Sequence, residues 1–182
     1  MINLFSKIEH DKLLVHGGKL LDLGCGDGSL SLSFHKCGYS VKLFDQDIEL
    51  LRMARESFSL SKSAPASTIS GDVNDFKFVD TYSGIIISKV LHYVHDKKCV
   101  ARIVNDAYGA LTSGGFLYFN FLGPKDEWAK SMFKSLSFFT STEARDVLSI
   151  EPYYTSEDCG IGMSRSGVVK KWHTIDLLYI KQ

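Results

Sequence analysis

Residues 20–28 of this 182-residue chain read Leu-Leu-Asp-Leu-Gly-Cys-Gly-Asp-Gly, and they restrict the fold more than any other stretch. Leu20, Leu21 and Leu23 make a strand-like apolar run around the acidic Asp22. Gly24, Gly26 and Gly28 then alternate through a turn, and the helix-like segment 29–34 follows. Glycine serves where φ must be positive or where a ligand meets bare backbone, and a helix N-terminus adds free N–H groups and a positive dipole end. A strand, a glycine turn and a helix in that order make a cradle for a nucleotide-like ligand. The plainer alternative is a tight strand-to-helix turn that binds nothing.

Strand and helix patterns alternate beyond the loop. A helix over 29–37 stops at Gly38, a natural C′ residue, and 40–44 reads as a second strand ending at Asp45. Ile48, Leu51, Ala54 and Phe58 recur at helical spacing, 59–67 is a Ser/Ala-rich loop around Pro65, and a short strand over 68–70 leads to Gly71-Asp72. The continuous apolar run 84–88 has the character of a central strand buried on both faces. Val100, Ile103, Val104, Ala107 and Leu111 mark a helix ending at 113–115, before the aromatic strand 116–119. Such alternation predicts a doubly wound parallel α/β sheet with right-handed crossovers and a ligand beyond the C-terminal strand ends, where Asp22, Asp45, Asp72 and Ser88 fall. In the tail, 128–136 and 142–148 read as helical, 149–154 as extended, and 168–180 as a long strand preceded by a polar Gly/Ser loop. Residues 1–18 form a short amphipathic N-terminal cap on a single domain spanning 1–182.

Twenty-one basic residues balance twenty-one acidic ones, which argues against nucleic acid or an anionic membrane as partner. Four scattered cysteines without a C-x-x-C pair point to free thiols and a cytoplasmic setting, with no zinc or other metal ligation. No run approaches the roughly 20 apolar residues of a membrane span, and no secretory signal opens the chain.

The G-x-G-x-G spacing, with Asp22 two residues ahead of it, departs from the dinucleotide fingerprint G-x-G-x-x-G. It resembles the first motif of class I S-adenosylmethionine-dependent methyltransferases. The resemblance implies a doubly wound, mostly parallel seven-stranded sheet with an antiparallel last strand, S-adenosylmethionine as cofactor and S-adenosylhomocysteine as product. It implies that Asp22, Gly24, Cys25, Gly26 and Gly28 hold the methionine end. Asp45, about 20 residues beyond Gly24, is similar to the family's ribose-binding acid. Gln46 stands beside it where an apolar residue is usual. Asp72 and the Val73 N–H match the adenine-reading pair, and Ser88 opens the Ser88-Lys89-Val90-Leu91-His92 segment near the transferred methyl. His92 is the candidate catalytic base, titrating near neutrality; the alternative is a helix-start histidine bonded to backbone.

The run Phe44-Asp45-Gln46-Asp47, the short N-terminus and Lys170-Lys171-Trp172-His173 are most similar to the small tellurite-resistance type of this class. An Asn/Asp-Pro-Pro-aromatic box is missing after the fourth strand, and no proline precedes a cysteine, which argues against methylation of nucleic-acid bases. The expectation is a cytoplasmic enzyme, monomeric or homodimeric, that methylates a small molecule of chalcogen or thiol-like character. The alternatives are a methyltransferase acting on RNA or protein and a catalytically silent cofactor-binding subunit.

Overall fold

The structure, a computed structural model, describes residues 3–60, 66–130, 136–163 and 167–182. Strands β1 (Lys19–Leu23), β2 (Ser40–Asp45), β3 (Ser67–Ser70), β4 (Tyr82–Ile87) and β5 (Leu111–Leu122) are parallel, while β6 (Tyr154–Met163) and β7 (Val169–Ile180) form an antiparallel ribbon. β7 also pairs antiparallel with β5, giving a seven-stranded sheet of order β3-β2-β1-β4-β5-β7-β6. The helices are α1 (Leu4–His10), α2 (Leu32–Lys36), α3 (Ile48–Ser59), α4 (Lys97–Gly109) and α5 (Ser141–Asp146). The doubly wound architecture expected from the sequence is the one found.

Alternation along the strands builds two cores. On one face Leu21, Leu23, Ile85, Ile87 and Leu117 pack with Val100, Ile103 and Val104 of α4. On the other, Leu20, Leu43, Ile86 and Phe116 meet Phe34 of α2, Ala54 and Phe58 of α3, and Leu4 and Ile8 of α1. β4 is buried on both faces, as a central parallel strand must be. Helix starts are set by side chains. Asp47 accepts from the Glu49 and Leu50 N–H groups at 3.0 and 3.2 Å, Asp96 accepts from Cys99 N–H at 2.7 Å, and Thr140 with Glu143 makes a capping box. The strand order reverses between β1 and β4, so the C-terminal ends of these strands flank the switch-point crevice where α/β sheets bind ligands.

Some sequence expectations need correction. α2 begins at Leu32, with 29–31 forming a turn. α4 ends at Gly109, and Leu111, although at helical spacing, already belongs to β5. Tyr82 N–H donates to Ala110 O at 2.9 Å and draws that residue onto the sheet, and residues 112–115 bulge before Phe116 pairs with Gly84. Segment 149–154 is irregular up to Tyr154, and the polar stretch that reads as a loop is mostly strand β6. That strand is an exposed edge, so it carries no burial alternation; its conformation comes from pairing with β7 along its whole length. Of the helix expected over 128–136, Glu127–Lys130 is a single 3-10 turn, and 131–135 lies outside the described residues, as do 61–65 of the Pro65 loop and 164–166 of the polar loop.

Candidate functional site

The glycine loop is clamped by the end of β2. Gly24 and Cys25 N–H both donate to Phe44 O, at 2.7 and 2.9 Å. Asp45 uses one carboxylate oxygen for each side of the crevice: Oδ2 accepts from Gly26 N–H at 2.8 Å and Oδ1 from Asp47 N–H at 2.9 Å. Its carbonyl accepts from Gly71 N–H at 3.2 Å, tying in the end of β3. Gly24, Gly26 and Gly28 all have positive φ, at 76°, 58° and 72°. Their surroundings differ. A Cβ at Gly24 would lie 2.0 Å from Val90 Cγ2 and one at Gly28 2.9 Å from Phe58 Cε2, whereas at Gly26 it would meet nothing within 4 Å. Gly24 and Gly28 permit close packing, and Gly26 bares the backbone to open space.

A cavity of about 120 Å³ lies at these strand ends, smaller than the roughly 300–1,000 Å³ typical of enclosed small-molecule sites, so a nucleoside-sized ligand would extend into the open groove. Five of the sequence-derived residues line it together: Gly24, Asp45, Gln46, Asp72 and Val73. Asp22, Cys25, Gly26, Gly28, Ser88 and His92 are outside its walls. Lys89 and Val90, from the segment expected near the transferred methyl, also line it, and so do Tyr93 and Asn74, which the sequence does not single out. Nothing in hydrophobic periodicity marks them, because they lie in the turns after β3 and β4 whose shape is set from outside. Asp72 Oδ1 accepts from the Asn74 N–H and Nδ2, at 2.8 and 2.7 Å, which holds its carboxyl below the ordinary range and shapes that wall.

Asp22 lies beneath the loop, 2% exposed, and its Oδ2 has no hydrogen-bond partner among the described residues. Burial pushes its carboxyl up to about 7, with Asp45 and Asp27 adding to the rise and Ser31 opposing it. Burial, Asp22 and Asp45 together push the Cys25 thiol far above its ordinary value, so it is no thiolate nucleophile. His92 sits in the 3-10 turn Leu91–Tyr93 with its ring buried 4.1 Å from that of Tyr93 and 6.1 Å from that of Trp128. Neither ring nitrogen has a partner among the described residues, so the ring is not a backbone cap. Burial lowers it to about 4, Lys170 and Lys89 adding to the drop and Asp126 opposing it. The expected titration near neutrality is thereby corrected: the imidazole is neutral at physiological pH.

The tail serves structure. His173 Nδ1 accepts from Lys125 N–H at 3.1 Å and its Nε2 lies 2.8 Å from Glu157 Oε1. Lys170 is buried against Asp126 with its Nζ 3.9 and 3.8 Å from the ring centroids of Trp128 and Trp172. Among the described residues no group of His, Cys, Asp and Glu is arranged to hold a metal ion, and no helix is long and apolar enough to cross a membrane.

A sheet of this order, with a clamped glycine loop at its switch point, is the frame of a class I methyltransferase. The chain belongs to the methyltransferase-domain family, whose model matches residues 20–115. No curated protein matches the sequence. Among solved structures, TehB from Haemophilus influenzae superposes with a TM-score of 0.78 at 19% identity, covering 98% of this chain and 62% of that one. This chain therefore spans less than two thirds of the TehB chain. A methyltransferase from Methanosarcina mazei, described as SAM-dependent, aligns with a TM-score of 0.69 at 21% identity over 96% of this chain and 98% of its own. Magnesium protoporphyrin IX methyltransferase from Synechocystis PCC 6803, solved with bound SAH, aligns with a TM-score of 0.71 at 16% identity over 98% and 80% of the two chains. At these identities the likeness is one of fold, and that fold is the Rossmann-like methyltransferase fold.

Proposed function

We propose that the chain is an S-adenosylmethionine-dependent methyltransferase, one domain over 1–182 with 1–18 as its N-terminal cap, that methylates a small soft acceptor of thiol or chalcogen character. The observation that carries the cofactor reading is the clamp of Asp45 on the glycine loop beside a cavity walled by Asp72 and Val73. Each Asp45 oxygen accepts one backbone N–H and keeps a further lone-pair site for a ribose hydroxyl. Asp72 and the Val73 N–H offer an acceptor and a donor to an adenine edge, with Gln46 flanking them. Asp22, with Oδ2 unpartnered beneath the loop, is the acidic group for the ammonium, and the open face at Gly26, whose N–H is already given to Asp45, leaves room for the methionine end, with Cys25 and Gly28 shaping the loop between. Ser88 directly follows β4, the strand that leads to the acceptor side.

When bound, S-adenosylmethionine supplies a methyl group already activated on a sulfonium. The chain's own work is then to position the acceptor and exclude water. His92 is a weak base, about 4, poorly matched to a hydroxyl proton and unnecessary for an acceptor that is already anionic. This fits thiol-like and chalcogen acceptors, in line with the sequence resemblance to the tellurite-resistance type, and leaves His92 as a neutral ring packed near Tyr93 and Trp128.

S-adenosylhomocysteine and S-adenosylmethionine should raise the melting temperature, since they bind the folded state, while NAD should not. Equal stabilisation by NAD, or none by either sulfur ligand, refutes the cofactor assignment. Release of S-adenosylhomocysteine with thiol and hydroxyl acceptors, compared for wild type and His92→Ala, tests the rest. A preference for hydroxyls overturns the acceptor class, and binding without turnover on any acceptor supports a silent cofactor-binding subunit.

A further inference from the structure

Lys89 carries a positive φ of 57° without being glycine, and it does so on the cavity wall two residues beyond β4. Residues with a Cβ avoid this conformation unless the surroundings enforce it. One buried side chain is bonded to its backbone here. Lys89 N–H donates to Asn120 Oδ1 at 2.7 Å, from a strand residue 2% exposed.

The Asn120 amide has one usable orientation. Its Nδ2 points at Asp176 Oδ1 at 3.2 Å, with Tyr118 OH and Ser88 Oγ both at 3.3 Å. Asp176 is fully buried on β7, accepts from Tyr118 O–H at 2.7 Å, and has Ser156 Oγ 3.4 Å from its other oxygen. A carboxylate only accepts, so Asn120 must give it the NH₂ and turn its oxygen toward Lys89. The turn so held presses Val90 onto Gly24, where no Cβ would fit, and presents Tyr93 and Lys89 to the cavity.

We propose that Asn120 is a positioning residue for the ligand cavity: oriented by Asp176 and Tyr118, it holds Lys89 in the left-handed conformation and thereby sets Val90 against the glycine loop. The proposal rests on the S-adenosylmethionine reading only for the identity of the ligand. The competing account is a buried polar network that joins β5 to β7 and does nothing for the turn. Lys89→Gly separates the two, because glycine takes a positive φ unaided.

The experiment is a double-mutant cycle on S-adenosylhomocysteine affinity by calorimetry, with amide exchange of the ligand-free proteins. Asn120→Ala should weaken binding about tenfold and speed exchange of the Lys89 amide, but in the Lys89→Gly background it should cost about twofold or less. If Asn120→Ala does not fold, Tyr118→Phe, which removes one of the bonds orienting the amide, is read the same way with a loss of about threefold. A loss undiminished in the Lys89→Gly background, or unchanged exchange at Lys89, overturns the proposal. Should the wild type not bind S-adenosylhomocysteine, the cofactor reading fails, and the exchange comparison still decides whether Asn120 holds the turn.

Discussion

Replacing Asp22 by asparagine should destabilise the ligand-free protein in acid and stabilise it in alkali. The Asp22 carboxyl stands at 3.8 ordinarily and at about 7 in the folded chain, because burial beneath the loop disfavours its charge. Below the unfolded value both states are protonated and no penalty exists. Between the two values the unfolded chain releases the proton while the folded chain keeps it, so stability falls as pH rises. Above the folded value both are ionised and the whole penalty, about 4 kcal/mol at 1.36 kcal/mol per pH unit, is present. Asp22→Asn keeps the shape of the side chain and removes the titration. The buried NH₂ that the substitution introduces costs about 1–3 kcal/mol at every pH, so the net gain in alkali is about 1–3 kcal/mol and the swing with pH is about 4.

Urea denaturation of wild type and Asp22→Asn at about pH 4 and about pH 8 measures that swing, since all other groups titrate in both proteins and cancel. A difference that does not change with pH, or one that moves against the variant as pH rises, refutes the reasoning, for it would mean that ionised Asp22 is well partnered. The same carboxylate should contribute to ligand binding: S-adenosylhomocysteine should stabilise the wild type more than Asp22→Asn at about pH 8, as expected when a destabilising buried charge is retained for function.

Two further pairs of substitutions probe neighbouring features. Gly24→Ala should cost roughly 2–4 kcal/mol, from the clash with Val90 and the positive φ, while Gly26→Ala should cost about 1 kcal/mol and weaken S-adenosylhomocysteine binding more than stability; equal losses in urea melts would refute the distinction. Lys170→Met should cost about 3 kcal/mol by leaving the buried Asp126 with only the Trp128 and His173 N–H groups as partners, and adding Asp126→Asn should restore part of it; additive losses in the cycle would show the pair uncoupled.

Much of the sheet is legible because its signals are local. The runs within 20–23, 40–45 and 82–87 are apolar enough to be strands on their own residues, and Asp47 and Asp96 cap α3 and α4 from the adjacent turn. Leu111 misleads because its spacing from Ala107 suits a helix, yet the Tyr82 bond to the preceding carbonyl assigns it to the sheet. β6 gives no signal because both of its faces are largely exposed and only β7 makes it extended.

The sequence by itself determined the doubly wound sheet, the glycine turn and the acidic strand ends, since strand and helix periodicity, glycine and capping act over a few neighbouring residues. Only the tertiary structure decided what each residue does there. Gly28 yields to Phe58, Asp22 is sealed beneath the loop, His92 loses its charge, and Lys89 is bent by Asn120. Packing, burial and hydrogen bonds of that kind join residues from separate elements, so their consequences exist only once the chain has folded.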